Sequence, residues 1–156
     1  MSLIHAALLL LAAGAADGFD PVIFFNGQTH GDGRLKVILE KPRTIRVDSV
    51  GTNQPDGSLL LEQRVKEEGK PLRLRQWHLR RISPTKFAGT LTDAAGPVAV
   101  DVIDGRARIR YRMKGGLAAE QWLTPQPGGR TVANVMRVRK AGIVVARFEE
   151  TIRKLD

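Results

Sequence analysis

Histidine, serine and acidic side chains are the residues of this chain that could perform hydrolysis or hold a metal ion. The histidines His5, His30 and His78 lie far apart, and the chain has no cysteine, whereas a zinc site takes three or four ligands at characteristic spacing. A serine triad needs a serine, a histidine and an orienting acid in one site, and no Gly-x-Ser-x-Gly elbow is present. A lone strand histidine such as His78 is more typical of a core edge than of a haem ligand. We therefore predict no catalytic residue, no metal ligand and no cofactor.

Three polar side chains stand close to apolar strand faces and could recognise a ligand. Glu62, Arg75 and Asn134 each have apolar neighbours on their own strand face or its continuation. A buried acid and arginine are costly unless they pair and form hydrogen bonds. If Glu62 and Arg75 both face inward on neighbouring strands, they form either a structural bridge, the simpler interpretation, or the polar end of a ligand pocket.

The large apolar side chains that could line such a pocket are few. We name Trp77, Tyr111, Met113 and Trp122 as its candidate walls. Large side chains in a small barrel either fill the interior or border a cavity. The sequence does not separate these two possibilities, and a plain packed core is the simpler one.

A basic stripe alternates with apolar residues between Arg106 and Lys114. Its five cations share one strand face, which excludes that face from a packed core. Tyr111 falls on the opposite face, so the stripe lacks the aromatic side chains that stack on nucleic acid bases. We expect a solvated outer wall that can touch an anionic membrane surface, and no nucleic-acid partner. The net charge of +9 fits an anionic partner of this kind.

Strands must position all of these residues, because apolar and polar residues alternate from about Leu35 to Lys154 between turns rich in Gly, Pro and Asp. This pattern predicts an all-β antiparallel meander that closes into a barrel of about 8–10 strands. Asp104-Gly105 predicts a two-residue hairpin turn. Phe24-Phe25 is a candidate plug for one barrel end, and a phase slip between Leu74 and Trp77 predicts a bulge near Gln76.

The first residues predict an exported protein. Ala6 to Ala16 is uncharged, contains four successive leucines and is too short to span a bilayer as a stable helix. We assign residues 1–16 to a signal peptide that forms a helix, and residues 17–156 to a single barrel domain. The absence of Lys and Arg from Met1 to His5 departs from the usual signal pattern, and a short N-terminal helix is the alternative.

Several of these residues also carry a family resemblance. They are Glu62, Gly69, Arg75–Leu79, Phe87–Gly89, Asp93–Gly96, Trp122, Asn134 and Lys140–Gly142. In order and spacing they resemble a bacterial family of envelope proteins, the domain of unknown function numbered 3833. The resemblance implies a lipocalin-like (calycin-like) barrel in the bacterial envelope, with no established activity. Many members look like lipoproteins, but here Leu11–Gly14 is followed by Ala15 rather than Cys, which implies a periplasmic or secreted protein without a lipid anchor.

Three functions follow from these observations. The leading hypothesis is a non-enzymatic envelope protein, acting as a monomer, that binds a lipid-like or otherwise apolar or amphipathic small molecule in the barrel. The first alternative is a structural or interaction module that uses its basic outer face for anionic lipid or an acidic protein partner. The second alternative is a barrel enzyme that uses an acid or His78 on an apolar substrate.

Overall fold

A computed structural model describes residues 18–156 as ten antiparallel strands preceded by one short helix. The elements are α1 (Pro21–Phe24), β1 (Gly27–Val37), β2 (Arg43–Asn53), β3 (Leu59–Glu67), β4 (Arg73–Ser83), β5 (Lys86–Leu91), β6 (Val98–Ile103), β7 (Arg106–Met113), β8 (Leu117–Pro125), β9 (Thr131–Lys140) and β10 (Ile143–Lys154). Each strand pairs with the next, and β1 pairs with β10, so the sheet closes into a barrel. The predicted all-β meander barrel is confirmed.

Alternation decides which side chains enter the barrel, as β7 shows most clearly. Ala107, Ile109 and Tyr111 are buried, while the arginines between them face outward. Asp104 and Gly105 join β6 to β7 with φ angles of 51° and 74°. Both angles are positive, as a type I′ hairpin turn requires, and Asp and Gly tolerate them better than other residues do.

Helix α1 closes one end of the barrel. The Asp20 carboxylate accepts hydrogen bonds from the backbone N–H groups of Val22 and Ile23, which begins the helix. Phe24 and Phe25 then join the main apolar core. The absence of a side chain at Gly51 lets the Phe25 carbonyl approach β2 closely, since a Cβ there would lie 1.7 Å from that oxygen. Phe24-Phe25 is therefore a plug, as the sequence predicts.

The opposite end is formed by five hairpin connections and is not covered by α1. We call this end the rim; its connections are β1–β2, β3–β4, β5–β6, β7–β8 and β9–β10. Near it lies a second, smaller apolar cluster of Ile45, Val47 and Val65, packed against Leu35 and Phe148. Buried polar side chains lie between the two clusters.

One local prediction is wrong, and others fall outside the described residues. The register of β4 on β3 runs unbroken from Arg73 to Leu79, so no bulge occurs at Gln76. Leu74 caused the apparent phase slip, because it faces solvent while Arg75 and Trp77 face inward. The predicted signal peptide and its helix lie outside residues 18–156. Within those residues no helix is long and apolar enough to cross a membrane.

Candidate small-molecule site inside the barrel

A layer of buried polar side chains surrounds a small cavity inside the barrel. The cavity has a volume of about 60 Å³. The polar or partly polar side chains that border it are Gln63, Arg75, Trp77, Gln121, Asn134 and Glu150. Its apolar border includes Phe25 of the plug, together with Met136 and Phe148. With Ile109 of β7 at its border as well, six strands contribute to this site, which no single segment of the sequence contains.

Gln63 organises one side of the layer. Its Oε1 accepts hydrogen bonds from Trp77 Nε1 at 2.7 Å and from Arg75 Nε at 2.8 Å. Its Nε2 donates to the Ser49 hydroxyl at 3.0 Å. Because its amide is buried and uses both ends, Gln63 fixes the Arg75 side chain in place. The sequence reading missed Gln63, although Leu61 and Val65 at two-residue spacing on β3 mark its face.

Arg75 brings a positive charge into the barrel that is only partly balanced. Its side chain is 16% exposed, and its Nη1 lies 3.8 Å from the Asp93 carboxylate on the β5–β6 connection. Among residues 18–156, neither Nη atom has an acceptor within hydrogen-bond distance. Burial lowers the pKa of Arg75, because removal from water disfavours the charged form. The far end of the guanidinium therefore has donors to offer to a ligand.

Glu150 and Asn134 form the opposite side of the layer. Asn134 Nδ2 donates to Glu150 Oε1 at 3.4 Å, and Asn134 Oδ1 is buried with no partner in the described chain. Burial raises the pKa of Glu150, and the Arg75 charge opposes this effect. The carboxylate fits because Gly31 faces it, where a Cβ would lie 2.7 Å from Oε2. Phe148, Glu150 and Ile152 share one face of β10, a sequence signal that we did not use.

Tyr111 completes the layer from β7. Its hydroxyl accepts a hydrogen bond from Gln121 Nε2 at 3.1 Å. Its ring meets Trp77 edge-on, with centroids 5.8 Å apart. Burial raises the pKa of Tyr111, so the phenol stays neutral and adds no charge near Arg75. Trp77, Tyr111, Arg75 and Asn134 all lie inside the barrel, although Tyr111 does not itself border the cavity; their role in ligand binding stays a prediction.

Glu62 is not part of this layer, and the prediction that it faces inward is wrong. It is exposed on the outer wall of β3, while the adjacent Gln63 faces the interior. The residue directly across from Arg75 on β3 is Gln63, so the predicted Glu62–Arg75 bridge does not form. Two consecutive polar residues made the choice of face ambiguous, and the burial of Leu61 and Val65 decides it.

Trp122 also faces outward, contrary to prediction. It shares the outer face of β8 with Glu120, and the Arg106 guanidinium stacks 4.4 Å from its ring centroid. Arg108 is 5.9 Å from the same ring. Gln121 and Leu123 take the inward positions instead. Met113 does pack against the main core, but close to the rim, and it does not border the cavity.

A second cluster contains catalytic residue types in a non-catalytic order. The Ser58 hydroxyl lies 2.6 Å from Asp56 Oδ1 and 2.8 Å from His78 Nε2. In a triad the acid orients the histidine, whereas here both partners hold a buried serine at the β2–β3 turn. Residues 18–156 contain no group of three His, Cys, Asp or Glu side chains that could hold a metal ion.

The barrel resembles two solved structures at low sequence identity. The S-type phycobiliprotein lyase CPES from Guillardia theta is 9% identical, with a TM-score of 0.65, over 86% of this chain and 90% of that one. Rv2717c from M. tuberculosis is 12% identical, with a TM-score of 0.54, over 88% of this chain and 99% of that one. The fold is a lipocalin-like barrel.

Comparison of the sequence with protein-family models and with curated proteins finds no match. The lipocalin-like (calycin) fold that the resemblance implied is confirmed by the two structures. Membership of the particular family numbered 3833 stays a prediction.

Proposed function

We propose that this protein binds a small amphipathic molecule inside the lipocalin-like barrel, with an acidic head group on Arg75. The observation that carries the proposal is the outer end of the Arg75 guanidinium, whose donors have no acceptor among residues 18–156. A carboxylate or phosphate would supply those acceptors with two parallel hydrogen bonds. Gln63 holds the guanidinium in one orientation, which reduces the entropy that binding must overcome.

The cavity sets the way in which such a molecule can fit. A volume of about 60 Å³ is roughly the space that two water molecules occupy in the liquid. It accommodates a head group but not an alkyl chain. The alkyl chain of the ligand would therefore displace Met136 and Phe148, which border the cavity. It would then extend past the small apolar cluster toward the rim. Methionine adapts readily to such repacking because its side chain is unbranched.

The fold neighbours support a small-molecule partner without naming it. One of them, from Guillardia theta, is a phycobiliprotein lyase with a barrel of similar fold. Fold alone does not transfer an activity between proteins that share so few residues. The apolar character of the ligand rests on the side chains of this chain.

We also propose that the protein is exported to the periplasm or secreted. The uncharged run from Ala6 to Ala16 and the resemblance to envelope proteins support this location. Fractionation of cells that express the full chain, with N-terminal sequencing, tests it. A mature N-terminus close to Asp17 in the periplasm is expected, and an uncut chain in the cytoplasm would contradict the proposal.

The binding experiment uses a fluorescent fatty acid and the mature protein, purified without detergent and checked by native mass spectrometry. We expect saturable binding that Arg75→Gln weakens by about 10- to 100-fold, because a hydrogen bond to a charged group contributes about 1.5–3 kcal/mol. Arg75→Lys should bind the probe more tightly than Arg75→Gln but more weakly than the natural protein. Lysine keeps the positive charge but lacks the two parallel N–H donors of the guanidinium.

Arg64→Gln is the matched control, because Arg64 is exposed on the outer wall of the neighbouring strand. It should bind the probe like the natural protein. Equal binding by the Arg75→Gln and natural proteins, or the absence of saturable binding to a folded natural protein, would overturn the proposal. If native mass spectrometry shows the protein without added mass, no ligand has co-purified with it. The fluorescent probe experiment then decides the proposal.

A further inference from the structure

Six large aliphatic side chains are exposed on three neighbouring hairpins of the rim. They are Ile38 and Leu39 between β1 and β2, Leu72 and Leu74 at the start of β4, and Ile143 and Val144 at the start of β10. These hairpins are adjacent, because the barrel order places β9–β10, β1–β2 and β3–β4 side by side. We call these six residues the apolar tips. Single exposed leucines are ordinary, whereas a contiguous set on one rim indicates an interaction surface.

Leu39 is the most prominent of the tips. It is 98% exposed and has a φ of 64°, in the left-handed region that leucine rarely occupies. A glycine or an asparagine would satisfy this turn at lower conformational cost. The turn therefore presents a bulky aliphatic side chain to the surroundings, where it contributes nothing to packing within the described barrel.

Cationic side chains lie on the same rim as the apolar tips, and the β9–β10 hairpin carries both kinds. Arg112 lies near the end of β7 and Lys114 follows that strand, while Arg139 and Lys140 end β9. None of these four forms an ion pair with a residue between 18 and 156, unlike Arg108, which pairs with Glu120. Arg110 pairs with Asp101 in the same way. Within the basic stripe, Arg108 and Arg110 are therefore neutralised on the barrel wall, whereas Arg112 and Lys114 near the rim and Arg106 at the plugged end have no ion-pair partner among residues 18–156.

Apolar tips beside unpaired cations have the chemistry of a surface that rests on an anionic bilayer. Aliphatic side chains enter the boundary between head groups and acyl chains, while Lys and Arg are attracted to the negative surface potential. An acidic protein partner would match the cations but not the apolar tips. A second copy of the chain would match the tips but would bring the cations of the two rims together.

We propose that the rim docks on an anionic lipid surface, with the apolar tips inserted and Arg112, Lys114, Arg139 and Lys140 on the lipid head groups. In this orientation α1 points away from the membrane. The inference is independent of the proposed ligand, since it concerns the outside of the rim and is measured by vesicle binding alone.

Co-sedimentation with vesicles tests the docking. The natural mature protein should bind vesicles of phosphatidylglycerol and phosphatidylcholine, and should bind pure phosphatidylcholine much more weakly. We expect the tip variant Leu39→Gln/Ile143→Gln to lose about tenfold in partitioning, because the inserted area is lost. Its matched control is Ile23→Gln/Ile82→Gln, which alters two exposed isoleucines at the plugged end and should change nothing.

The charge component has its own pair of variants. Lys114→Glu/Lys140→Glu should abolish binding to the anionic vesicles, whereas Arg64→Glu/Arg80→Glu, with the same change in net charge, should retain most of it. Circular dichroism confirms that each variant is folded. Partitioning that falls equally in the tip variant and its control, or that is unchanged in the tip variant, would overturn the proposal.

Two other outcomes would assign the rim to a different occupant and so reject a membrane. Loss of self-association in the tip variant, measured by analytical ultracentrifugation with no vesicle binding by the natural protein, would show that a second copy covers the tips. Vesicle binding that depends on Arg108→Glu/Arg110→Glu but not on the tips would place the contact on the barrel wall.

Discussion

The two tryptophans show how the same residue type has two different roles in this barrel. Trp77 is buried and donates a hydrogen bond to Gln63, while Trp122 lies on the outer wall beneath Arg106. Burial removes large apolar area from water and makes the environment of Trp77 intolerant of truncation. Trp122 is only half-buried on the outer wall, where its ring has the weaker contact with a cation.

We therefore expect Trp77→Ala to lower the free energy of unfolding by about 3–5 kcal/mol. The matched change Trp122→Ala should cost less than about 1 kcal/mol. Urea unfolding followed by circular dichroism measures both. Similar losses in the two variants would show that Trp122 packs more deeply than the structure has it.

Glu150 makes the interior sensitive to pH. Its pKa is raised from 4.5 by burial, so the folded state binds a proton more tightly than the unfolded chain does. Stability from this group is fully present below pH 4.5 and is lost as the pH rises through the raised folded pKa. A protonated Glu150 also has an O–H group that can donate a hydrogen bond. The buried Asn134 Oδ1 has no such donor among the described residues.

Glu150→Gln removes this titration. We expect the variant to gain stability relative to the natural protein as the pH rises above the raised pKa, and to lose that advantage below pH 4.5. Urea unfolding from pH 4 to pH 8 measures the difference. A difference that is independent of pH would mean that the Arg75 charge offsets the effect of burial and leaves the pKa of Glu150 unshifted.

At the scale of elements, the plug depends on a missing side chain rather than on its own length. Helix α1 has four residues, too few to be stable without its contacts on the barrel. Those contacts come from Phe24 and Phe25 in the core and from the close approach of Phe25 to Gly51. Strand β2 thus positions the plug as much as α1 does.

Gly51→Ala should displace the plug and cost about 1–3 kcal/mol, the usual range for overpacking. Gly96→Ala is the matched control, because a Cβ at Gly96 would meet no atom within 4 Å and its φ is not positive. Thermal unfolding and limited proteolysis near Phe25 measure the two effects. Cleavage that is unchanged in Gly51→Ala would show that β2 yields instead of the plug.

At the scale of the whole molecule, closure distributes stability unevenly around the barrel. The β5–β6 pairing has four registered positions, whereas the β1–β10 pairing that closes the sheet has nine. Both β5 and β6 are six residues long and lie far from the closing seam. The barrel should therefore open first between β5 and β6.

Hydrogen exchange followed by NMR measures this opening. We expect the amides shared by β5 and β6 to exchange at least about tenfold faster than those shared by β1 and β10. The β5–β6 connection also carries Asp93, which contacts Arg75. The β5–β6 pairing is therefore next to the candidate site. Equal protection around the barrel would mean that it opens only as a single unit.

The sequence by itself determined the closed meander, because alternation with a period of two and marked turns specify strands and hairpins locally. It also suggested Arg75, Trp77, Tyr111 and Asn134 as candidate pocket residues, and all four lie inside the barrel. Only the tertiary structure decided between Glu62 and Gln63, since a shift of one residue exchanges the two faces of a strand. The same holds for Gln121 and Trp122, because both side chains have polar and apolar parts. The cavity and the rim are likewise properties of the closed barrel, since each is assembled from strands distant in sequence.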